Sequence, residues 1–100
     1  MEPQKDVASA SVHAVVLPRW MDKLRHMLGA DRKEPGSRNF FCVFIGDEDY
    51  METFRQMEEA GLVVRGKTIN DGEDQLFHAT RKGCEVIGLS EDAIARAFRR

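Results

Sequence analysis

The sequence is poor in the residues that would give it a chemistry of its own: two cysteines, three histidines, three prolines, one tryptophan and one tyrosine in 100 residues. Cys42 and Cys84 lie far apart with no other thiol near either, so they do not make a disulfide scaffold, and both are expected as buried free thiols. His13, His26 and His78 share no HxxxH spacing, and no CxxC accompanies them, so the pattern offers no metal site. Gly61, Gly66, Gly72, Gly83 and Gly88 are spread as punctuation rather than gathered into a phosphate-cradling loop. The longest apolar runs, 14–17 and 40–45, fall far short of a membrane span, and the N-terminus has no basic start, apolar middle and small-residue cleavage site. These absences point to a non-enzymatic, cofactor-free, cytoplasmic protein without a membrane partner.

What the sequence does have is polarised charge. The net charge is only −2, yet residues 46–60 hold six acids against one base, while the rest of the chain is slightly basic. The balance gives no global attraction for a polyanion. One acidic stretch on a near-neutral body is the feature to explain.

Residues 1–11 have no periodicity and are expected as a loose tail ahead of a single domain over 12–100. Residues 12–17 suit a strand or an extended lead-in, and Pro18 fits the first turn of a helix whose buried stripe is Trp20, Leu24, Met27 and Leu28, stopped by Gly29. The polar run 31–38 reads as a solvated loop. The aromatic and β-branched run 39–45 reads as a buried strand lying in the core. Asp47 is then placed to cap an amphipathic helix in which Glu48 and Asp49 suit the N-terminal dipole, Tyr50, Phe54 and Met57 form the inner stripe, and Glu52, Arg55 and Glu59 face outward. Gly61 ends it. Residues 62–69 and 75–79 flank the turn sequence Asn70-Asp71-Gly72-Glu73-Asp74, which predicts a hairpin with an acidic tip. Thr80 and Ser90 cap two short helices, the second ending in Arg96 and Arg99.

The series Met57-Glu58-Glu59-Ala60-Gly61-Leu62-Val63, a hairpin, and Phe77-His78-Ala79-Thr80-Arg81-Lys82-Gly83 resembles the end of winged-helix domains. More closely, Arg38-Asn39-x-Phe41, Asp49-Tyr50, Ala60-Gly61-Leu62 and Phe77-x-x-Thr80-x-x-Gly83 resemble short phage and prophage proteins, largely of unassigned function; the similarity covers residues 38–83. The resemblance implies an α+β, single winged-helix-like domain with a small antiparallel sheet or β-hairpin and three to four helices. It departs from DNA-reading relatives in two respects. Only one clear helix precedes the helix at 47–60, and that would-be recognition helix is acidic.

Two functions follow as expectations. The first is a phage-type inhibitor, anti-CRISPR-like, acting in the host cytoplasm on a protein or ribonucleoprotein complex with a basic groove, through Glu48, Tyr50, Glu52, Glu58, Glu59 and the tip acids Asp71, Glu73 and Asp74. Glu58 and Glu59 carry particular weight because they oppose the dipole at the helix C-terminus. The second is a winged-helix DNA-binding regulator with Arg65, Lys67, Arg81 and Lys82 on phosphates. Four cations over this length are usual on any surface, which favours the first.

Overall fold

The computed structural model describes residues 16–99 as one α+β domain. The expected tail and the first part of the lead-in, 12–15, lie outside the described residues. Helix α1 (Pro18–Leu28) starts with Pro18 in its first turn and ends at Gly29, whose φ of 62° is the left-handed value that a Cβ would disfavour. The segment after it is more than a solvated loop. Its Gly36 and Phe40 amides donate to the Leu28 and Met27 carbonyls at 2.9 and 3.1 Å, satisfying acceptors that the end of a helix would otherwise leave unpaired.

Strand β1 (Phe41–Phe44) leads into α2 (Glu48–Glu59), where Asp47 caps by accepting from the Tyr50 amide at 3.1 Å. The hairpin is β2 (Val63–Ile69) and β3 (Asp74–Ala79), so β3 begins one residue earlier than the sequence pattern suggested. Asn70 and Asp71 both take left-handed φ, 56° and 59°, as this turn requires and as Asn and Asp tolerate. Two short helices close the chain: α3 (Arg81–Val86), capped by Thr80, and α4 (Glu91–Ala97), capped by Ser90.

The sheet is antiparallel in the order β1-β3-β2, with Phe41 opposite Phe77, and Val63 opposite Ala79. Period-two alternation puts Phe41, Val43, Gln75, Phe77, Ala79 and Val63 on one face. Helices α1 and α2 pack there, and Phe54 sits between Phe41 and Phe77 at ring centroid distances of 4.9 and 4.7 Å. Leu24, Met27, Leu28, Phe54, Met57, Leu62 and Phe77 have no exposed surface. Between Arg65 and Thr68 the β2 register shifts, and the Gln75 amide fills the gap by donating to the Gly66 carbonyl at 2.9 Å.

Two expectations are corrected. The run 39–45 is not a buried strand throughout: Val43 is 2% exposed, but Phe40, Phe44 and Ile45 are exposed at 42%, 56% and 38%. Cys42 is exposed rather than buried, while Cys84 is buried. Helices cover one face of the sheet, so Phe40, Cys42 and Phe44 point away from them by strand alternation, and Ile45 lies in the turn beyond the end of β1.

Candidate interaction surface

The acids of α2 divide into two groups according to their partners. Glu52 receives Nε and Nη2 of Arg55 at 2.8 and 2.6 Å and the Gln56 amide at 3.2 Å, and Arg55 Nη1 reaches Glu59 at 2.5 Å. The hydrogen bonds from Arg55, then that from Gln56, hold the Glu52 carboxyl down to about 2. Glu58 is bidentate with Nε of Arg65 at 3.1 and 3.2 Å. Helical spacing brings Glu52, Arg55 and Glu59 together, and the turn into β2 brings Arg65 beside Glu58. Most of the negative charge in the C-terminal half of α2 is thus answered within the chain.

The second group lies where α2 begins. Phe44 pairs with Asp74 across β1 and β3, and the Ile45 amide donates to the Glu73 carbonyl at 2.8 Å, so the acidic hairpin tip stands beside the start of α2. Glu48, Asp71 and Glu73 are exposed and have no ion-pair partner among the described residues, while half-buried Asp74 accepts from the Asn70 amide. Among these acids Phe44, Ile45 and Tyr50 stay exposed, Tyr50 by 40%, so the inner stripe of α2 is Phe54 and Met57 without the expected Tyr50, which sits in the first turn at the edge of the core. Phe44, Asp47 and Tyr50 border one shallow depression along β1. The Phe44 ring lies over Gly46, where an added Cβ would sit 2.5 Å from it. Lys23 Nζ stands 4.8 Å from the Tyr50 ring centroid.

The four cations of the alternative reading are largely engaged elsewhere. Arg65 holds Glu58 and lies over the Phe77 ring at 5.5 Å. Arg81 pairs with Glu85 at 2.9 Å and Glu91 at 2.6 Å, and these carboxylates, Glu91 first, raise its basicity further. Lys82 donates to the Ala60 carbonyl at 3.0 Å, capping the end of α2. Lys67 alone of the four is exposed with no such contact, at the irregularity in β2.

Asn39, the Gly61–Leu62 step, Thr80 and Gly83 form a structural joint. Thr80 Oγ1 donates to the Gly61 carbonyl at 2.6 Å and accepts from the Gly83 amide at 3.1 Å. A Cβ on Gly83 would stand 2.4 Å from the Leu62 carbonyl oxygen, so the close approach of α3 to the α2–β2 step requires glycine there. Asn39 grips Ala79 from both sides, accepting from its amide at 2.7 Å and donating to its carbonyl at 3.2 Å. These contacts lock the hairpin between α2 and α3.

The outer face of the sheet is a surface that sequence reasoning missed. Cys42, Phe44, Asp74, Leu76, His78, Val64 and Ile69 lie there by register, with Phe40 and Phe98 beside Val64, Leu76 and His78 in one groove. The signal was present in the unbroken apolar run 40–45, which makes both faces of β1 apolar when the helices cover only one. Its groups are poorly set for nucleophilic catalysis. Slight desolvation on the sheet surface and then the Asp74 carboxylate raise the Cys42 thiol, exposed as it is, and His78 Nδ1 is committed to the Asn39 carbonyl at 2.7 Å. Cys84 lies in the core on the opposite side from His78, its thiol pushed up to about 11 chiefly by burial.

Among the described residues, no three His, Cys, Asp or Glu side chains converge as a metal site, and no helix is long and apolar enough to cross a membrane. Compared with family models, curated protein sequences and solved structures, the chain has no match in any of the three.

Proposed function

We propose that this chain is a non-enzymatic binding protein whose partner is a protein or ribonucleoprotein with basic surface, engaged at the end of the domain where α2 begins and the hairpin turns. One observation carries the reading: Phe44, Ile45 and Tyr50 are exposed among Glu48, Asp71 and Glu73, acids with no cation partner among the described residues. Apolar anchors within a charged rim make a typical protein-binding patch, in which the anchors supply affinity and the rim supplies steering and choice of partner. Glu52, Glu58 and Glu59 contribute less than their sequence positions suggest, because Arg55 and Arg65 already neutralise much of their charge.

The fold reading that goes with it is a reduced winged helix. A helix, a strand and a helix precede the hairpin, with one helix between β1 and β2 where a helix-turn-helix has two. With its acids turned to solvent, such a domain suits competition with a polyanion for a basic groove, the mode of action of an anti-CRISPR-like inhibitor. The DNA-binding alternative is weaker, because Arg65, Arg81 and Lys82 would first have to leave partners within the chain.

The test is capture of a nucleic-acid-binding host complex by the purified protein and its variants. Glu48→Lys with Glu73→Lys should abolish capture, while Glu52→Gln leaves it near the wild-type level. Capture that survives the double reversal would overturn the surface, and a salt-sensitive mobility shift of bare duplex would favour the regulator.

A further inference from the structure

The described residues leave six large hydrophobic side chains exposed, and four of them, Phe40, Phe44, Val64 and Phe98, lie on or beside the outer face of the sheet. This face is therefore the principal apolar surface of the domain, and its charges are arranged lengthwise. At one end the Arg38 guanidinium lies 4.3 Å over the Phe40 ring, and exposed Arg99 follows Phe98. At the other, Asp74 stands opposite Phe44, next to Glu73 and the turn that carries Asp71. Leu76 and Cys42, paired in register, occupy the middle.

We propose that this outer face binds a second copy of the same chain about a twofold axis that lies between the two sheets, parallel to them and perpendicular to the strands. Such an axis reverses the strand direction, so the Arg38 end of each copy meets the Asp74 end of the other while the apolar middles stack face to face. The charge pattern selects this occupant. A uniformly basic partner would be repelled at Arg38 and Arg99, and a uniformly acidic one at Asp74 and Glu73, whereas an end-to-end polar face is complementary to itself. The dimer goes beyond the binding function proposed above and does not require it: the two surfaces share Phe44 and the acidic hairpin tip, whereas Tyr50, Ile45 and Glu48 lie off this face, and Val64→Glu and Phe98→Glu leave both the shared end and those residues untouched.

Light-scattering mass and sedimentation of the full chain from about 10 µM to about 1 mM should show a monomer–dimer equilibrium. Val64→Glu and Phe98→Glu, far from the hairpin tip, should yield monomers that melt cooperatively at the monomer's temperature and still capture a basic partner. Arg38→Glu and Asp74→Arg should each raise the dimer Kd about tenfold, and the double reversal should bring it back to within about threefold of wild type. Alkylation of Cys42 should slow as concentration rises, with Cys84 unreactive throughout. A wild-type monomer at about 1 mM, a dimer that persists in Val64→Glu, as edge-to-edge pairing through β1 would, or a double reversal weaker than either single one would each overturn the proposal.

Discussion

On β1, Val43 is 2% exposed, and Phe44, one residue further along, is 56% exposed. The two faces of this sheet are built from similar side chains yet have opposite fates. The inner face is closed by α1 and α2, with Phe77, Val63 and Ala79 at or below 1% exposure. The outer face has Phe44, Leu76 and Val64 in the corresponding positions and, among the described residues, receives only the end of α4 at one corner. An apolar side chain stabilises this fold only where another element removes it from water. The uncovered face is accordingly where binding energy is still available.

The largest expected effect tests that contrast directly. Phe77→Ala opens a cavity beside Phe54 and should cost about 3–5 kcal/mol, enough to threaten folding in a domain of this size. Phe44→Ala, measured dilute enough to hold the monomer, should change stability by no more than about 0.5 kcal/mol. Urea denaturation of both gives the comparison. Comparable losses would mean that the outer face is covered within the monomer, and the dimer proposal would fall with the contrast.

A smaller effect belongs to the boundary between the faces. Asn39 satisfies both the amide and the carbonyl of Ala79, pinning the chain before β1 to the end of β3. Asn39→Ala strands two buried backbone groups and should cost about 1–3 kcal/mol in the same denaturation experiment. Loss of hydrogen-exchange protection should concentrate at Ala79 and the Thr80 cap rather than spread through α1. Uniform loss would mean that Asn39 supports the inner core as a whole instead of the seam.

Much of this architecture was legible because its signals are local. The stripe Trp20, Leu24, Met27 and Leu28, the caps Asp47, Thr80 and Ser90, and the Asn70-Asp71-Gly72 turn each act within a few residues, and each falls where the pattern placed it. What could not be read depends on distant partners. The run 40–45 fixes strand character but not which neighbours arrive, so it reads as core throughout although the helices bury Val43 and leave Cys42 and Phe44 exposed on either side of it. The acids of the candidate site met the same limit. The i,i+3 and i,i+4 spacing of Arg55 to Glu52 and Glu59 is visible in the sequence, but the Arg65–Glu58 pair exists only because β2 turns back along α2. Glu48, Asp71 and Glu73 stay exposed as their cap and turn positions imply.

The smallest effect concerns a region satisfied by its own partners, in contrast to the outer sheet face. Glu52 is an exposed carboxylate held by Arg55 and Gln56, and its folded-state value of about 2 lies below the ordinary 4.5. A depressed acid contributes stability that is present above its unfolded value and is lost as pH falls through its folded one. Water and salt screen such a pair, so the contribution is slight. Glu52→Gln should therefore lower the melting temperature slightly at pH 7, and the gap should narrow between about pH 4.5 and pH 2 and shrink in high salt. The same variant should leave both the dimer Kd and the capture of a basic partner unchanged, because a charge already spent on Arg55 has little left to offer a second molecule. A loss of either in Glu52→Gln would show that the Glu52–Arg55–Glu59 ladder opens on binding, and would return the middle of α2 to the interaction surface.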